Sequence, residues 1–87
     1  MESETATLGR ITDVFREVLG RDALSLTRAT TSNDVEGWDS LAHVSLMLAV
    51  QQAFAVRLSA SESSRLANVG ALVDLIQSKR AAAGRTE

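Results

Sequence analysis

Apolar residues recur at helical spacing in three separate stretches of the chain. Leu8, Ile11, Phe15 and Val18 follow one another at three- and four-residue steps, and Val14 and Leu19 widen the stripe. This predicts a first helix that starts among Ser3, Thr5 and Thr7, each able to cap it, and stops at Gly20. Gly9 weakens its early turns. The most apolar run, about Ser40 to Phe54, sorts into two faces when its residues are laid out at about 100° each. Leu46, Met47, Val50 and Phe54 share the side expected to face a core, whereas Leu41, Val44 and Leu48 share roughly the opposite side. Either a neighbouring helix covers part of that second stripe, or it stays accessible as a docking ridge. The third stretch, Val69, Leu72, Val73 and Ile76, makes a core stripe for a last helix capped by Asn68. Lys79 and Arg80 would suit the negative end of that helix, and the tail from Ala82 is expected to fray.

The segments between these helices carry their own signals. Ser59 followed by Glu62 is a capping box, which predicts a short helix from Ala60 to Leu66 after an extended link in which Val56 and Leu58 flank Arg57. Residues 20–38 form a connection longer than compact domains keep without a reason. Leu24 and Leu26 can anchor it in the core. Thr27, Thr30, Thr31, Ser32, Asn33 and Asp34 supply turn chemistry, and Val35 and Trp38 bring the chain back. The expectation is a packed crossing loop that delivers Asp39 and Ser40 to one end of a bundle.

Composition narrows the class. Eighty-seven residues suffice for a single domain, 1–87, with an ordered core over about residues 5–81. Alanine and leucine are plentiful, proline is absent and β-branched residues do not alternate, so the domain is all-α. There is no cysteine and a single histidine, which leaves no disulfide and no metal-ligating cluster. No run is long enough to span a membrane, and Met1-Glu2-Ser3-Glu4 lacks the pattern of a signal peptide, which points to the cytoplasm. A net charge of −2 and only three aromatic residues (Trp 1, Phe 2) speak against a nucleic-acid partner.

Gly37-Trp38-Asp39-Ser40-Leu41 is the stretch with candidate chemistry. Asp39 is a good N-cap, which places Ser40 at the first helical position, exposed, where unpaired N–H groups and the helix dipole favour an anion such as a phosphate ester. Taken alone, Asp-Ser-Leu is an ordinary helix start. An esterase pairing of Ser40 with His43 has the right helical spacing but lacks a nucleophile elbow, an orienting third residue and an oxyanion hole. His43 itself points toward the core stripe, under the loop or near the third helix, and Trp38 reads as a loop anchor.

Gly37-x-Asp39-Ser40-Leu41 before such a helix resembles the phosphopantetheine attachment site of the acyl carrier protein family, and the element order from Leu8 to Ile76 resembles a discrete carrier over essentially the whole chain. The resemblance implies a small four-helix bundle of acyl-carrier type, with a long loop between helices 1 and 2 and a short third helix. It implies a monomer without catalytic activity, bearing covalent 4'-phosphopantetheine on Ser40 and holding acyl intermediates as thioesters. By the family's pattern Asp39 would assist recognition and metal-bound phosphate transfer, and Leu41 would seat against partners. The partners implied are a phosphopantetheinyl transferase and acyl-loading and acyl-processing enzymes, such as ligases, acyltransferases or synthases. Docking would use Leu41, Val44 and Leu48, with Glu36 and Glu62 in an acidic rim, and His43 would brush the prosthetic arm.

One departure from the family bears on the pathway. Many carriers of fatty acid synthesis line this helix with glutamates, but from Ser40 through Ser61 this chain has no acidic residue, and Ser45, Gln51, Gln52 and Ala53 stand in those stretches. Weak charge steering favours a dedicated partner set, as in polyketide or other specialised biosynthesis. The alternatives are an aminoacyl or peptidyl carrier, whose serine often follows a Gly-Gly pair, and a helical interaction adaptor without a prosthetic group.

Overall fold

A computed structural model describes residues 3–84. Its elements run α1 (Glu4–Leu19), a 3-10 turn (Ser32–Asp34), α2 (Ser40–Phe54), α3 (Ala60–Ser64) and α4 (Val69–Gly84), with no strand among the described residues. This is the all-helical bundle the periodicities predict, with the long connection between α1 and α2 and a short third helix.

The core forms where the stripes meet. Ile11 and Phe15 of α1, Leu46 and Val50 of α2, and Val69, Leu72, Val73 and Ile76 of α4 are almost wholly buried, and Met47, Phe54 and Leu58 join them. Helix α1 packs on both α2 and α4. Leu8, Val14, Val18 and Leu19 are only partly buried and flank the cluster. Thr7, one of the three residues able to cap α1, is instead completely buried, and Ser3 does the capping, its hydroxyl accepting from Ala6 N–H at 3.1 Å. At the far end Gly20 adopts the left-handed conformation (φ 66°) that closes the helix.

The crossing loop is held by bonds to α1 and α4. Leu26 and Val35 are buried anchors and Leu24 is half-buried. Arg16 Nε donates to the Leu24 carbonyl at 2.7 Å, and Arg21 reaches the Glu36 carbonyl at 3.1 Å. Arg28 binds the Asp74 carboxylate of α4 through both guanidinium nitrogens, at 3.0 and 2.9 Å, and also bonds Glu4 of α1. Behind it, Val69 N–H donates to the Thr30 carbonyl and Gly70 N–H to the Arg28 carbonyl, each at 2.8 Å. These bonds satisfy two of the N–H groups that a helix start leaves unpaired. The approach is close: a Cβ on Gly70 would lie 3.0 Å from both Arg28 Cβ and its carbonyl oxygen, so a larger residue would need the loop to give by a few tenths of an ångström.

Two expectations need adjustment. Helix α3 stops at Ser64 and does not reach Leu66, because Arg65 leaves helical geometry (φ −93°, ψ 0°) and closes on the Glu62 carbonyl. Leu66 then packs, half-buried, against the core. The turn chemistry expected of the loop takes the form of a 3-10 turn over Ser32–Asp34, with Asp34 Oδ2 accepting from Thr31 N–H at 2.9 Å. Helix α4 continues through Gly84, past Ala82, so Lys79 and Arg80 do not lie in its last turn. Lys79 instead pairs with Glu62 at 2.9 Å, and the Arg80 guanidinium sits 5.6 Å from the centre of the Phe54 ring. Residues 1, 2 and 85–87, including the rest of the expected tail, lie outside the described residues.

Candidate functional site

Gly37, Trp38 and Asp39 turn the chain from the loop into α2. Gly37 has φ 93°, a conformation that side-chain-bearing residues rarely adopt, and Trp38 N–H closes the turn on the Val35 carbonyl at 3.2 Å. Asp39 then caps α2: its carboxylate accepts from Ala42 N–H at 2.8 Å and its carbonyl from His43 N–H at 2.8 Å. Ser40 follows as the first helical residue and is exposed. The N–H groups of Ser40 and Leu41 precede the first intrahelical bond and point out of the helix with the positive end of its dipole.

Trp38 and His43 build the wall beside this hydroxyl. The Trp38 ring stands edge-on to buried Phe15 (centroids 4.9 Å apart, planes at 87°) and lies nearly parallel to His43 (6.0 Å, 12°). Its indole Nε1–H donates to His43 Nδ1 at 3.1 Å. That bond makes Nδ1 the acceptor, so in the neutral ring Nε2 carries the hydrogen and donates to the Ser63 carbonyl at 3.0 Å, with Ser63 Oγ at 3.2 Å. His43 thus ties α2 to the C-terminal end of α3, both under the loop and against the third helix. A groove of about 390 Å³ opens at Ser40, with Ser32 and Trp38 on the loop side and Ser63, Ser64 and Leu66 on the α3 side. Sequence reasoning had no reason to include Ser32, Ser63, Ser64 or Leu66; the run of serines around α3 was the one signal present, and only the tertiary fold brings it to Ser40.

The remaining candidates separate into two groups. Leu41, Val44 and Leu48 stay exposed at 82%, 59% and 56%, so the third helix does not cover the second stripe of α2. No side chain of α2 carries a fixed charge. Glu36 is well exposed and pairs loosely with Arg21 at 3.5 Å. Glu62 is more committed: its carboxylate accepts from Ser59 N–H at 2.9 Å and pairs with Lys79, and these contacts hold its pKa below the ordinary carboxylate value. No group of three or more potential metal ligands exists among the described residues. No described helix is long and apolar enough to cross a membrane.

An exposed hydroxyl at the open end of a helix, with a groove leading away from it, suits a tethered phosphate-linked group, and comparison with known proteins defines which class this is. Residues 9–76 match the family described as phosphopantetheine attachment site. The solution structure of a holo acyl carrier protein from Geobacter metallireducens superimposes with a TM-score of 0.85 at 36% identity, covering 93% of each chain. The chain belongs to the acyl carrier protein family, whose members are carriers and not catalysts and whose prosthetic group is covalent 4'-phosphopantetheine.

Proposed function

We propose that Ser40 is the attachment point and that the chain carries acyl intermediates for a dedicated biosynthetic pathway, of polyketide or other specialised type, in the cytoplasm. The observation that supports the attachment point is the placement of Ser40: exposed, first in α2 and lining the groove. Once attached, the arm supplies the thiol on which acyl groups are held as thioesters, a thiol that a chain without cysteine does not itself provide. Ser40 supplies the oxygen of the phosphodiester link, and the N–H groups of the first turn of α2 face its charge. Asp39 holds that turn in shape through its cap and assists the transferase at the same position.

Docking belongs to Leu41, Val44 and Leu48, an apolar ridge that starts beside Ser40, with Glu36 and Glu62 on its flanks. The absence of charge along α2 supports the dedicated pathway, because such a face selects partners by shape and apolar contact more than by long-range attraction. The phosphopantetheinyl transferase and the enzymes that load and process the acyl group are the partners this ridge serves.

The test is the intact mass of the protein and of Ser40→Ala after incubation with coenzyme A, magnesium and a broad-specificity phosphopantetheinyl transferase. One phosphopantetheine should be gained by the serine form alone. Equal gain by both forms would move the attachment point elsewhere. Specialised cargo is checked by presenting the loaded protein to fatty acid and polyketide loading enzymes in parallel.

A further inference from the structure

The groove beside Ser40 holds more organised polar chemistry than a carrier surface needs. Ser63 Oγ is an acceptor toward His43 Nε2, so its own hydrogen stays available to the groove. Ser64 Oγ donates to the Ser61 carbonyl at 3.0 Å, so its lone pairs stay available. Both residues line the groove, and together their hydroxyls offer it one donor and one acceptor, the complement of an amide. Leu66 and the Trp38 ring supply apolar surface in the same groove. A phosphopantetheine arm is a chain of two amides with a pair of methyl groups near its phosphate end, and it is tethered at the groove's mouth.

The other direction open to the arm is inward, between α2 and α3. His43 bars it: its ring spans that seam, held by Trp38 on one nitrogen and by the Ser63 carbonyl on the other. In the core face of the same helix, Leu46 and Val50 are packed at 0% exposure.

We infer that the arm rests in the outer groove, with its methyl pair against Trp38 and Leu66 and an amide on Ser63 and Ser64, and that the His43 tie keeps the acyl group outside the helical core. The inference rests on Ser40 as the attachment point, and it gives the cargo a chemical class: acyl groups that need no burial, short or polar, in preference to long alkyl chains. His43 and Trp38 are then positioning residues, since they shape the path of the arm without touching the reacting thioester.

Nuclear Overhauser measurements on isotopically labelled protein test this, with mass spectrometry confirming each loading. In the holo form, contacts from the two arm methyls to the Trp38 indole and the Leu66 methyls are expected, and the indole Nε1–H signal, unambiguous in a chain with one tryptophan, should shift from its apo position. Ser63→Ala keeps the carbonyl that His43 uses and should weaken those contacts by about two- to tenfold with helicity unchanged. When octanoyl-phosphopantetheine is loaded, its terminal methyl should show no contact with Leu46 or Val50. Contact between that methyl and either residue would overturn the inference, and so would a confirmed holo protein without arm contacts to Trp38 or Leu66. Failure of Ser40 to gain the arm at all is a separate outcome, seen by mass alone, and would bring down the carrier reading together with this one.

Discussion

Asp39 caps α2, and that structural role can be separated by mutation from the role proposed for it in loading. Its bond to Ala42 N–H is a capping bond that asparagine reproduces. Asp39→Asn should therefore leave stability within about 0.5 kcal/mol while removing the negative charge beside Ser40. If that charge assists the transferase, the initial loading rate falls by about tenfold or more; if loading is unchanged, Asp39 is a cap alone. Thr7 carries the opposite lesson. It is fully buried, and its hydroxyl has no hydrogen-bond partner among the described residues. Thr7→Val keeps the shape and removes the unsatisfied group, so urea denaturation should show a gain of about 1 kcal/mol. Asp39 could be read from the sequence because capping is local. Thr7 could not, because among three hydroxyl residues at a helix start only the packing of the other helices decides which one is enclosed.

The same division holds for whole elements. α2 was legible in its bounds and its core face, since a strong cap and an apolar stripe lie within it, but the sequence left open whether its second stripe would be covered. The closing of α3 was not legible, because Arg65 N–H bonds the Glu62 carbonyl while the Ser63 carbonyl is taken by His43, which arrives from another helix. The loop was legible as ordered but not in its path: threonine and serine mark turns, yet nothing local says that Arg28 will meet Asp74 or that Gly70 must lie against Arg28. Gly70→Ala should cost about 1–3 kcal/mol in urea melts by pushing the loop off α4, although alanine is the better helix former. Val44→Asp belongs to the outer face of α2 and should change stability by no more than about 0.5 kcal/mol, while the KM of the transferase for the protein rises. A large loss of stability in that variant would show that the ridge serves packing.

At the scale of the whole molecule, ion pairs join separate elements, while α2 carries no Lys, Arg, Asp or Glu. Arg28 holds the Asp74 carboxyl below the usual carboxylate range, and the Ser59 N–H with Lys79 does so for Glu62. A carboxylate with a lowered folded pKa adds stability above its unfolded pKa and loses it as pH falls through the folded value. The urea midpoint should accordingly decline on acidification below about pH 4, and Asp74→Asn should flatten part of that decline. Along α2 the prediction runs the other way: with no fixed charge on the helix, loading rates should vary less than about twofold between 50 and 300 mM salt. A steep fall would mean that the acidic residues of the rim guide the transferase after all. The loop carbonyls that receive Val69 and Gly70 have a further effect on how the molecule opens. Amides at a helix start ordinarily exchange with solvent hydrogen early, but these two can do so only when a segment far away in the chain lets go. The exchange rates of these two amides in α4 should therefore measure how often the loop leaves its seat.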